Sequence, residues 1–100
     1  MGHNIEVKIL DLPRGSSMES KDVKAFIEQI TSYIEGKDLV LESSNIIYEE
    51  GLYVSRYVAY IKLDFRLYGN LKGETSEALR LICNMLINLG VYSFKIENFF

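Results

Sequence analysis

The run from Leu52 to Tyr68 constrains this chain more than any other feature. It contains no Gly or Pro; Tyr57, Ala59, Ile61, Leu63, Phe65 and Leu67 hold its odd positions, and Arg56, Lys62, Asp64 and Arg66 hold even ones. A period of two is a β-strand with one dry face and one wet face. At 17 residues it exceeds the usual strand of about 5–6, so either a bulge bends it or one end projects from its sheet.

Such a strand needs partners. Ile5, Val7 and Ile9 alternate with Glu6 and Lys8, and Tyr92, Phe94 and Ile96 alternate with Ser93, Lys95 and Glu97. Leu39 to Glu50 reads as a further strand, with Glu49-Glu50-Gly51 as the hairpin turn into the long run. Two helical stripes interrupt these strands. Val23, Phe26, Ile27, Ile30 and Ile34 make the first, preceded by the Ser16/Glu19 capping-box spacing and followed by Gly36. Gly69-Asn70 and Gly73 punctuate the loop before the second, and Glu74 and Glu77 suit its positive end. Ala78, Leu79, Ile82, Met85, Leu86 and Leu89 form its apolar face, Leu81 and Cys83 widen it, and Gly90 ends it.

The order β-α-β-β-α-β, without linker or repeat, predicts one domain over residues 1–100. Its fold class is α+β: a ferredoxin-like sandwich, a four-stranded antiparallel sheet with two helices on one face. That architecture serves many functions and names none.

Composition narrows the classes. Hydrophobic residues are 48% and charged residues 25%, the balance of a soluble globular protein. Eleven Lys/Arg against fourteen Asp/Glu give a net charge of −3, which excludes a broadly basic nucleic-acid surface. The single Cys excludes an internal disulfide framework and a Cys-based zinc site, and Cys83 reads as a small buried hydrophobe. The first residues, Met1-Gly2-His3-Asn4-Ile5-Glu6, have neither the basic nor the apolar region of a signal peptide. The longest apolar stretch, Leu79 to Leu89, is broken by Arg80, Asn84 and Asn88, well short of a bilayer span of about 18 residues. A cytoplasmic protein without membrane attachment, metal or cofactor is the expectation. His3 is the only His and sits near a terminus, so no Ser-His or Cys-His pair is read here.

The sheet face away from the helices is the candidate surface. Uniform alternation assigns to it Glu6, Lys8 and Leu10, then Val40, Glu42, Ser44, Ile46 and Tyr48, then the even residues from Val54 to Tyr68, and Ser93, Lys95 and Glu97. Ile46, Tyr48, Val54, Val58 and Tyr60 cluster on this reading near the hairpin end, with Arg56 among them. A contiguous apolar patch marks a contact, so Ile46, Tyr48, Val54, Arg56, Val58 and Tyr60 are the candidate partner-binding residues.

Two family resemblances bear on the same elements. Arg56-Tyr57-Val58-Ala59-Tyr60-Ile61-Lys62-Leu63 is similar to the RNP1 pattern of RRM domains, and Val7-Lys8-Ile9-Leu10-Asp11-Leu12-Pro13 resembles a degraded RNP2. RRMs stack bases on aromatics from both motifs; here Lys8 and Val58 stand where two of them belong, and Tyr57 replaces a glycine. The loop Pro13-Arg14-Gly15-Ser16-Ser17 before the first helix, with Asn45 on the second strand, resembles the anion site of acylphosphatases without their glycine-rich core. The reading favoured by the residues is a small non-enzymatic protein-binding module of inhibitor, immunity or accessory type, acting through its open sheet face as a homodimer or on another protein. An RRM-like single-stranded RNA binder is the alternative, and an acylphosphatase-like hydrolase the third.

Overall fold

The computed structural model describes residues 4–13, 20–50 and 57–99. The Ser16/Glu19 capping box, the Arg14 loop and the Gly51 turn lie outside these residues. Four strands and two helices follow in the expected order: β1 (Asn4–Ile9), α1 (Ser20–Ile34), β2 (Leu39–Glu50), β3 (Tyr57–Leu67), α2 (Thr75–Asn88) and β4 (Phe94–Phe99). The strands form one antiparallel sheet in the order β2-β3-β1-β4. This is the interleaving of two β-α-β units that a ferredoxin-like sandwich requires.

The stripes read from the sequence become the core. Phe26 and Ile30 of α1 and Ala78, Ile82, Met85 and Leu86 of α2 pack in one cluster with Ile5, Val7 and Ile9 of β1 and Ile61, Leu63, Phe65 and Leu67 of β3. Every one of these is 3% exposed or less. Phe94 and Ile96 of β4 are half-buried against the same cluster. Tyr92 falls just before β4 and is 79% exposed, so it does not join the apolar alternation. Cys83 is half-buried on α2 rather than fully inside.

Both helices stop where a residue with positive φ is available. Gly90, at φ 87°, lets the N–H of Val91 reach the carbonyl of Leu86 at 2.8 Å and its own N–H reach that of Ile87 at 3.0 Å. This paired bonding satisfies two end carbonyls and turns the buried Val91 back onto Leu86. Gly69 has a different reason to be glycine. A Cβ there would lie 2.8 Å from the Asp38 carboxylate, which accepts the Asn70 N–H at 2.8 Å and so ties the loop after β3 to the start of β2.

The register departs from uniform alternation at one place. Leu41 pairs with Phe65 and Ser43 with Asp64, so Glu42 is an extra residue, a β-bulge on β2. Before it, Leu39 and Leu41 share the helix side with Leu67 and Phe65. After it, Ser44, Ile46 and Tyr48 share that side with Leu63, Ile61 and Ala59, while Ser43, Asn45 and Ile47 go to the open face opposite Asp64, Lys62 and Tyr60. The placement of Ser44, Ile46 and Tyr48 on the open face is therefore corrected: one inserted residue reverses the side of everything beyond it. Ile46 is half-buried against the core, beside an open groove between α1 and β2 that Val23 and Ile27 also line.

Two outcomes check this architecture. Phe26→Ala should cost about 3–5 kcal/mol in chemical denaturation, the usual range for emptying a filled core site. Deleting Glu42 removes the residue that has no register partner, together with its exposed ion pair to Arg66, and leaves every β2–β3 pair its partner, so the variant should fold, with stability within about 1 kcal/mol of the parent. A collapse of the fold on that deletion would show that the bulge, not the pairing on either side, sets the register.

Candidate functional site

The open face is built by the residues that alternate with the core. Val7 and Ile9 point into the helices, so Glu6 and Lys8 point out; the same holds for Asp64 and Lys62 between Leu63, Phe65 and Ile61 on β3. Antiparallel pairing then lines these side chains up across the sheet. Asn45 pairs with Lys62, Lys62 with Lys8, and Lys8 with Lys95, making a basic row. Ser43 pairs with Asp64, Asp64 with Glu6, and Glu6 with Glu97, making an acidic row one step along the strands. Beyond the acidic row lie Val40, Arg66 and Asn4, and beyond the basic row lie Ile47 and Tyr60.

Like charges directly opposite one another repel, and here each row places three side by side. The relief is diagonal. Lys62 Nζ meets Glu6 Oε1 at 2.9 Å, and Lys8 Nζ meets Glu97 Oε2 at 3.6 Å, each tying one row to the other. The Ser43 hydroxyl donates to Asp64 Oδ2 at 2.6 Å, and Arg66 reaches Glu42 Oε1 at 3.1 Å while its guanidinium lies 5.5 Å from the Tyr68 ring centroid. The hydrogen bond that Lys62 donates to Glu6, reinforced by the carboxylate's charge, holds the Lys62 ammonium above its ordinary range. The Glu42 hydrogen bond does the same for Arg66. Lys95 makes no ion pair among the described residues.

Of the six residues singled out from the sequence, Ile46, Tyr48 and Tyr60 have described side chains, and these three do not share one face. Tyr60 is on the open face but only 9% exposed, with Lys8 Nζ 5.0 Å from its ring centroid. Its ring is covered rather than presented, which a pattern of alternating residues does not reveal. Ile46 and Tyr48 lie on the other side of the sheet, and Ile47 takes the place assigned to them beside Tyr60. Val54 and Arg56 and the side chain of Val58 lie outside the described residues, as does the Arg14 loop. Asn45 is exposed on the open face. What the sequence reading missed is the row order itself. Its signal was present: each of β1, β3 and β4 carries one acid and one lysine two residues apart.

No group of three or more His, Cys, Asp or Glu among the described residues is placed to hold a metal ion. No described helix is long and apolar enough to cross a membrane. No protein-family model matches the chain, and no curated protein matches it.

Proposed function

We propose that this chain is a small non-enzymatic protein-binding module, of inhibitor, immunity or accessory type, that acts through its open sheet face and associates there with itself. The observation that supports this most directly is the charge order of the face. Three lysines and three carboxylate side chains stand in two rows on a sheet with a core behind it. Fixed, ordered charge of both signs gives a protein surface specificity and register when it docks. It is a poor match for a uniformly charged polymer.

A lysine footprint tests this reading. Acylation rates are compared for the protein at low concentration and in concentrated native lysate. Lys8, Lys62 and Lys95 should be protected in the lysate, while Lys24, Lys37 and Lys72, away from the face, should react at unchanged rates. Equal rates at all six would refute a contact through the sheet.

One observation favours the RNA-binding alternative: a lysine row crosses the sheet beside Tyr60. Two of its three lysines are already paired with Glu6 and Glu97, and the Tyr60 ring is covered by Lys8. Counterion release, which drives phosphate binding, is weakened where a lysine already has a carboxylate. Fluorescence anisotropy with single-stranded RNA oligomers at about 150 mM salt should show no dissociation constant in the micromolar range or tighter. Micromolar binding abolished by Tyr60→Ala would establish the RNA reading instead.

A further inference from the structure

Resting on the sheet-face reading, we infer that the occupant of the open face is a second copy of this chain, stacked face to face about a two-fold axis that runs across the strands between the basic and the acidic row. The geometry of the rows carries this. A two-fold axis lying in the plane of a face preserves position along the axis and reverses position perpendicular to it. Placed between the two rows, it lays each strand over its own copy in the opposite direction. The basic row then falls on the acidic row of the second copy, and the acidic row on the basic.

The match holds strand by strand. On β3, Lys62 faces Asp64 of the second copy; on β1, Lys8 faces Glu6; on β4, Lys95 faces Glu97. Each match occurs twice by symmetry. The next rows out pair suitably at the β2 end. On β2, Ile47 falls opposite Val40 of the second copy, and Val40 is 44% exposed in the single chain. On β2, Asn45 meets Ser43, two groups that can exchange a hydrogen bond.

Other symmetric placements do worse. An axis through the basic row sets Lys62 against Lys62, Lys8 against Lys8 and Lys95 against Lys95, and an axis through the acidic row does the same with carboxylates. The three lysines and three carboxylates cancel, so two copies can approach on this face despite a net charge of −3 on each chain. Sheets pack face to face at about 10 Å, within reach of Lys and Glu side chains extended from both sides.

The test uses two charge-reversed variants of the full chain. Lys8→Glu/Lys62→Glu makes the β1 and β3 parts of both rows acidic; Glu6→Lys/Asp64→Lys makes them basic. Light scattering of the wild type at about 100 μM and low ionic strength should give twice the monomer mass. Each variant alone should be monomeric, with its dissociation constant raised at least ten-fold, and an equimolar mixture of the two should recover the dimer. Circular dichroism checks that both variants are folded. If either is not, carbodiimide coupling of mixed ¹⁵N-labelled and unlabelled wild type decides: Lys62–Asp64 and Lys95–Glu97 links of mixed isotope are expected.

A monomeric wild type, or an absence of those mixed links, overturns the inference. It removes self-association from the sheet-face reading and leaves a contact with a different protein standing if the lysine footprint shows protection in lysate. A dimer that persists in both variants, or folded variants that do not re-associate on mixing, also overturns it.

Discussion

β3 is hydrogen-bonded on both sides, to β2 and to β1, and its odd-numbered residues Ile61, Leu63, Phe65 and Leu67 lie against the helices with 2% exposure or less. Burying a large aliphatic or aromatic side chain is worth about 1.5–3 kcal/mol, so this one strand face outweighs any single surface interaction in the molecule. It fixes which side of β1 and β2 can be dry. It also fixes where α1 and α2 sit, because their buried stripes have no other apolar surface of matching length to cover. Once β3 is placed, the neighbouring registers follow from keeping Ile5, Val7 and Ile9 on the same side.

The charged face is a by-product of that constraint and bears its cost. Cross-strand pairs contribute about 0.2–1 kcal/mol and are unfavourable for like charges. Glu6 opposite Glu97 and Lys8 opposite Lys95 are tolerated because moving either strand by one residue would turn a column of core side chains into water. The sheet does not avoid the repulsion; it redirects each lysine toward the carboxylate of the adjacent row. The outcome is a surface with order along two directions, set by a core that never touches it.

Much of this was legible in the residues themselves. Strand and helix stripes with strict periods gave the element order and the core, since the same period that marks an element also marks its buried side. β2 resisted because its middle reads Glu42-Ser43-Ser44-Asn45, four polar residues that fit either face, followed by Ile46-Ile47-Tyr48, three apolar ones that also fit either face. Alternation carries no information where neighbours are alike, so an extra residue there leaves no trace until the partner strand is known. Tyr60 resisted for another reason: its low exposure comes in part from the Lys8 side chain lying over it from the next strand, a contact between residues 52 positions apart.

The bulge at Glu42 has a bearing on solubility. β2 is an edge strand of 12 residues with no Lys or Pro in it, and a straight edge of that length is a template onto which another chain can add a strand. The extra residue breaks the template into a short piece, Leu39–Leu41, and a longer one from Ser43, and it increases the local twist between them. A chain arriving at this edge cannot stay in step with both pieces at once. The irregularity that hides β2 from a reading of alternation thus guards the sheet's longer edge against open-ended assembly.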